Sequence, residues 1–248
     1  MTDKPRAQDF DRIRRQLRWR RLCAEIISRL PLNGLRCCLY RLLGYSIRNS
    51  AVGRGTVIAI EALDMSEAHI GVRNKIVGPF RLEMRHRSAI GSGNTIVSGF
   101  WAVRKDHAAF GYRRELVLEE YALLTIEHWV DVIDRIRIGA GTHIAGIRSE
   151  FWTHGHTSEN RDIDIGKDCF VGSSCIFTPG SGLADRSVVG SGSVITKKHP
   201  NRFSMLSGNP AEIRRTNYYW RTRSIIEPDA PPPLPETIRR FDKNTQEV

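Results

Sequence analysis

The chain has 248 residues, 40% of them apolar and 26% charged, a composition too apolar for a disordered protein and long enough to bury one sizeable core or two small ones. Lys and Arg number 38 against 27 Asp and Glu, yet residues 1–50 hold 12 of the bases and only four of the acids, so the other 198 residues carry a net charge of just +3. That asymmetry excludes a uniformly basic nucleic-acid coat and describes one basic arm on a nearly neutral body.

In the arm, Phe10, Ile13, Leu17, Ala24 and Ile27 fall at helical spacing while Arg12, Arg14, Arg15, Arg18, Arg20 and Arg21 crowd the other faces, which predicts a helix over residues 9–28 ended by Pro31. A second short helix, opened near Asn33 and stopped by Gly44, carries Leu35, Leu39, Leu42 and Leu43. The hairpin has two readings: a cap with a solvated face, or a peripheral contact with an anionic membrane surface. Phe10 and Trp19 are the only aromatics of the first helix, too few to stack bases, so nucleic acid is not an expected partner. No apolar run of about 18 residues occurs, so neither a spanning helix nor a secretory signal is expected and the default compartment is the cytosol. Five cysteines, two of them adjacent and none in a CxxC pair, read as reduced thiols rather than a disulfide framework or a zinc knuckle.

After Ser46 the period changes. Every sixth residue from Ile165 is apolar (Ile165, Val171, Phe177, Leu183, Val189, Ile195), and Gly166, Gly172 and Gly190 directly follow three of them. The same step gives Ile126, Val132, Ile138 and Ile144, then Ile70, Ile76 and Leu82, with Val52 and Ile58 in register and Asp64 as the polar miss. Such a beat predicts a triangular solenoid, with one aliphatic side chain per side pointing inward and about 18 residues per turn. Glycine after the apolar residue is expected to supply positive φ at the corners. Both open ends need caps, for which the helical hairpin and the chain beyond Arg215 are available.

The beat breaks twice, between Ile96 and Ile126 and again where the step from Ile144 to Ile165 is three residues too long. The first break carries Trp101, Lys105, His107 and Tyr112, the second Phe151, Trp152, Thr153, His154 and His156; loops that leave a rigid scaffold are where function concentrates. The expected organisation is an arm at 1–46, a solenoid at 47–215 with insertions near 99–125 and 150–164, and a Pro-rich tail at 216–248.

The segment from Ile136 to Arg215, above all VVGSGSVITK at 188–197 followed by Ser207-Gly-Asn-Pro-Ala211, resembles the left-handed parallel β-helix acyltransferases of the hexapeptide-repeat superfamily, and most of all their sugar O-acetyltransferases of bacterial surface-polysaccharide synthesis. The resemblance implies transfer of acetyl from acetyl-CoA, without metal, by a homotrimer with its sites between subunits. It implies that His154, after Thr153, is the general base, and that CoA meets Ser173, Ser191, Thr196, Lys197 and Arg215. Glu212 stands where the family often has a base, leaving Arg214 or Arg215 for the nucleotide phosphate.

The chemistry stands without the family. A neutral imidazole can take the proton of a poorly nucleophilic sugar hydroxyl as the thioester is attacked, a contribution of roughly 10²- to 10⁴-fold. The developing oxyanion wants a donor from a backbone N–H or a serine on the adjoining turn. His156 competes with His154 for the role or contacts substrate, and His128, near Asp131, either lines the same cleft or caps a corner. Glu127, Asp131, Glu150 and Asp162 are all candidates to orient the base. Trp152 and Phe151 either stack on a sugar or pack the loop. The alternatives are N-acetylation of a nucleotide-linked amino sugar, a non-catalytic scaffold, and a zinc hydrase, for which the eight histidines lack a pair five apart.

Overall fold

The computed structural model describes residues 10–155 and 161–221; the proline run at 231–235 lies outside the described residues. Helices α1 (Phe10–Arg29) and α2 (Asn33–Leu42) form the basic hairpin, separated at Pro31, which removes a helix donor. Past Ser46 the chain is mainly β, a parallel solenoid of about eight turns with three faces.

The first face stacks residues 57–60, 75–78, Thr95–Val97, Trp129–Asp131, Glu150–Trp152, Ile176–Phe177 and Val194–Ile195. The second begins at Ser46–Arg48 and stacks 62–66, 81–84, Glu115–Leu118, Arg135–Ile138, Ile163–Ile165, Gly182–Leu183 and Lys198–His199. The third runs from Ala51–Val52 through Leu123–Ile126 and His143–Ile147 to Met205–Ser207. Because Val57–Ser66 and Lys75–Met84 pass unbroken through a corner, the first two faces count as one thirteen-stranded sheet.

Strand alternation sends one or two side chains per strand inward. On the first face these are Ile58, Ile76, Ile96, Val130, Phe151, Phe177 and Ile195, all buried, with the Phe151 and Phe177 rings stacked at 4.9 Å. Phe151 is therefore core, each such burial contributing about 1.5–3 kcal/mol, and the excursion begins after Trp152.

Four expectations change. Asp64 is no defect in the beat: a register shift between Ile60 and Ala62 lets Leu63 and Met65 fill the interior, while Asp64 points out and pairs with Arg48 at 2.8 Å. Ile126 is exposed, and the inward residue of its strand is Leu124; because side chains alternate with period two, Ile136 and Ile138 are both buried and a six-step count can start from either. Gly166 and Gly172 are not in the left-handed region, which is occupied two residues later by Asp168 and Ser174. They are glycines because a Cβ would come within 2.5 Å of Asp185 N and 2.6 Å of Ser191 Oγ on the next turn. Residues 115–118 and 123–126, inside the span assigned to the first insertion, are strands of the solenoid, so the first insertion narrows to 98–114.

Side chains of the hairpin satisfy the backbone edge that the first turns would expose. Tyr40 Oη donates to Thr56 O at 2.8 Å, Tyr45 Oη accepts from Ile60 N at 3.0 Å, Asn33 Oδ1 accepts from Val52 N at 3.0 Å, and Arg20 donates to Ile60 O and Glu61 O at 2.7 and 2.8 Å. At the other end Glu212–Arg215 turns back antiparallel on Met205–Ser207, and Trp220 packs on His143 and Phe170 while donating to Asp168 O at 2.8 Å.

Candidate active site

The segment 98–114 and the chain after Trp152 both depart from the corner between the first and second faces, two turns apart. On the turn between them lies Asp131, in register with Val97 on one side and Trp152 on the other. Val130 points inward, so Asp131 points out, yet it is only 6% exposed because the excursions cover it.

The covering group is His154. Its Nδ1–H donates to Asp131 Oδ2 at 2.7 Å, while its own side chain remains 45% exposed. The Trp101 ring meets the imidazole edge-on at 5.8 Å, and Trp152 does so at 6.0 Å. Burial raises the Asp131 carboxyl above the ordinary carboxylate range, and the bond from His154 pulls it partly back. An aspartate accepting at Nδ1 fixes the tautomer and leaves Nε2 with the lone pair.

Thr153 holds this geometry from beneath. Its buried hydroxyl donates to Asp131 O at 2.6 Å and accepts from Ile133 N at 2.9 Å and Asp134 N at 3.0 Å. A β-branched residue with one stiff χ1 suits a hub joining two turns. Asp134 then ties both excursions down, accepting from Arg113 N at 3.1 Å and from Arg161 Nε at 2.9 Å, with the Arg161 guanidinium over the Tyr112 ring at 4.8 Å and Tyr112 against Trp101 at 5.4 Å.

The other carboxylates are engaged elsewhere. Glu127 faces Arg148 at 3.8 Å, Glu150 accepts from Trp152 Nε1 at 2.9 Å, and Asp162 accepts from Arg135 N at 3.2 Å and pairs with Arg113. His156 lies outside the described residues. Trp152, packed on Trp129 at 6.1 Å, is a wall of the site, and Trp101 reaches it from 53 residues upstream. Nothing in the sequence ties Trp101 to His154 except its place in the other interruption of the beat.

His128 is placed at the opposite end of the first face, within a buried column that takes the last corner residue before each strand: Asn74, Asn94, His128, Ser149, Cys175. His128 N donates to Asn94 Oδ1 at 2.9 Å, its Nδ1 accepts from Ser149 N at 3.0 Å, and its Nε2–H donates to Thr125 Oγ1 at 2.9 Å. Both ring nitrogens are used within the ladder, and burial pushes the imidazole down to about 4. The unfolded chain takes up this proton near pH 6.5 and the folded chain only near 4, so acidification through that window favours unfolding. The stability His128 contributes is present above about pH 6.5 and lost toward pH 4, on the order of 3 kcal/mol. Urea unfolding across this range is expected to show the decline and a shallower one in His128→Asn; equal slopes would contradict the neutral ladder.

Ser173 and Ser191 stand on successive turns at the corner before the first face, Ser173 N donating to Ser191 Oγ at 3.2 Å. Thr196 and Lys197 lie at the His154 corner, two turns further on and exposed, and Arg215 ends the antiparallel strand of the third face. Lys197 and Arg215 have no acidic partner among the described residues. One chain therefore brings Thr196 and Lys197 to the side of His154 and leaves Ser173, Ser191 and Arg215 at other corners. All five cysteines are free, and burial pushes the Cys169 thiol up to about 12. Among the described residues no three His, Cys, Asp or Glu side chains converge as metal ligands, and no helix is long and apolar enough to cross a membrane.

No family model matches the chain. Among solved structures it is similar to the polysialic acid O-acetyltransferase OatWY, at 14% identity over 75% of this chain and 90% of that one with a TM-score of 0.46. It is also similar to the polySia-specific acetyltransferase NeuO, at 16% identity over 81% and 91% with a TM-score of 0.41. A hexapeptide-repeat-containing acetyltransferase of Vibrio cholerae, complexed with acetyl coenzyme A, matches at 18% identity over 87% and 92% with a TM-score of 0.40. At these identities and TM-scores the likenesses assign neither a substrate nor a residue of this chain.

Proposed function

We propose that the protein is a cytosolic O-acetyltransferase that moves acetyl from acetyl-CoA to a saccharide hydroxyl in bacterial surface-polysaccharide synthesis. His154 is the general base and Asp131 its positioning partner. The observation that carries this reading is the 2.7 Å bond from His154 Nδ1 to a shielded aspartate, which leaves the second ring nitrogen of a half-exposed imidazole able to take a proton.

When bound, acetyl-CoA supplies an acyl carbon activated as a thioester. His154 Nε2 removes the hydroxyl proton as that oxygen bonds to the carbonyl carbon; as the C–S bond breaks, the imidazolium returns the proton to the departing sulfur. Asp131 stabilises the imidazolium throughout, and no acyl-enzyme is needed. Trp101 and Trp152 supply the aromatic walls that a sugar ring can meet. For the donor, the stacked Ser173 and Ser191 corner offers a narrow polar edge, and Lys197 and Arg215 are cations suited to phosphate. These groups belong to different corners, so the complete site requires neighbouring solenoids side by side, and a three-sided column closes such a ring as a homotrimer.

The test is CoA-thiol release with paired hydroxyl and amine acceptors, nucleotide-linked and polymeric, beside sedimentation of the protein. Acceptor-dependent release with ester formation by a trimer is expected. Preference for the amine would replace this reading with N-acetylation, failure to bind CoA in calorimetry would replace it with a scaffold, and a monomer with full activity would overturn the shared cleft.

A further inference from the structure

We infer that the helical hairpin docks the protein on an anionic lipid bilayer, with α1 lying along the headgroup region. This inference is independent of the chemistry at His154. Helix α1 packs its inner face on the solenoid through Leu17, Ala24 and Ile27. Its outer face carries Trp19, Leu22 and Ile26, spaced i, i+3 and i+7 on one stripe, and they are 65%, 64% and 69% exposed. Helix α2 repeats the pattern with Leu35, Cys38 and Leu42, the last 78% exposed. Neither stripe caps the coil; that work is done by Tyr40, Arg36, Asn33 and Arg20 from the inner faces.

Charge decides the occupant. Seven arginines of α1 stand against Asp11 and Glu25, and at 100° per residue Arg15 continues the stripe toward the N-terminus while Arg18 and Arg29 flank it. A second copy of the hairpin seated on this face would bring like charges together, and interface cores are depleted of charge. An apolar stripe bordered by arginines suits the boundary where acyl chains meet anionic headgroups, with Trp19 at headgroup level.

The experiment is co-sedimentation of the full chain with vesicles of phosphatidylcholine alone and of phosphatidylcholine mixed with phosphatidylglycerol. Binding is expected to the mixed vesicles only, to weaken as salt screens the surface, and to fall about tenfold or more when Trp19, Leu22 and Ile26 are all replaced by Ser. Arg15→Glu with Arg18→Glu is expected to abolish the preference for phosphatidylglycerol. Melting temperature and turnover on a soluble acceptor are expected to be unchanged in these variants, since the side chains face solvent. Absence of binding, equal binding to both vesicles, or full binding by the triple Ser variant would overturn the inference. So would a change in assembly size in the triple variant, which would make the stripe a self-association surface.

Discussion

Replacing His154 with Ala is expected to lower turnover by about 10²- to 10⁴-fold while leaving the melting temperature and the affinity for CoA near those of the parent. Deletion should be structurally mild because the imidazole is 45% exposed and outside the solenoid interior, where Phe151 and Phe177 make the core. What is lost is the proton acceptor held at the corner. Trp101 and Trp152 keep their own supports, the former against Tyr112 and the latter through Glu150, so binding of the acceptor should survive and the loss should fall on kcat. Steady-state assays beside a calorimetric titration with CoA check this; a variant with full turnover would remove His154 from the mechanism.

Asp131→Asn is expected to cost about 10²-fold or more in kcat with little change in KM, and to leave stability equal or raised. Asparagine preserves the shape but offers an amide in place of an anion, so the imidazole is free to carry its proton on Nε2, where it can no longer act as base. The imidazolium formed in the reaction also loses its counter-charge. Stability moves the other way because burial disfavours the ionised Asp131, as its raised proton affinity records, and the neutral side chain escapes that cost. A structural role alone would lower stability with activity. The predicted split, slower chemistry in a fold at least as stable, is read from kcat and from urea unfolding of the same preparation.

The winding was legible in the sequence because each side of the triangle buries one aliphatic side chain at a fixed interval, as Ile165 through Ile195 do. Where strands run long the interval misleads. In Arg135–Ile138 two residues point inward, which is how Ile126 entered the series from the wrong phase. The register shift near Ile60 is a backbone event that the residues around Asp64 do not announce. Glycine was expected for its φ, but at Gly166 and Gly172 the constraint comes from a neighbouring turn 18 or 19 residues away.

Within the site, His154 could be singled out from its loop and motif, and Asp131 stood among four carboxylates. The choice between them turned on which of these pointed out on the turn preceding the excursion, and on Thr153 binding the Asp131 carbonyl across 22 residues. Trp101 was unreadable because only the shared corner brings it to His154, 53 residues away. For His128 the sequence left two readings open, cleft or corner, and the structure has the corner one, because the three residues to Asp131 cross from one end of a face to the other.

The pairing of His154 with Asp131 can be read from the ¹⁵N spectrum of His154 at neutral pH, assigned by its loss in His154→Ala. The Asp131 contact predicts a proton on Nδ1 with the lone pair on Nε2, and a shift of the proton toward Nε2 in Asp131→Asn. A ring protonated on Nε2 in the parent protein, or one indifferent to the Asp131 substitution, would contradict it.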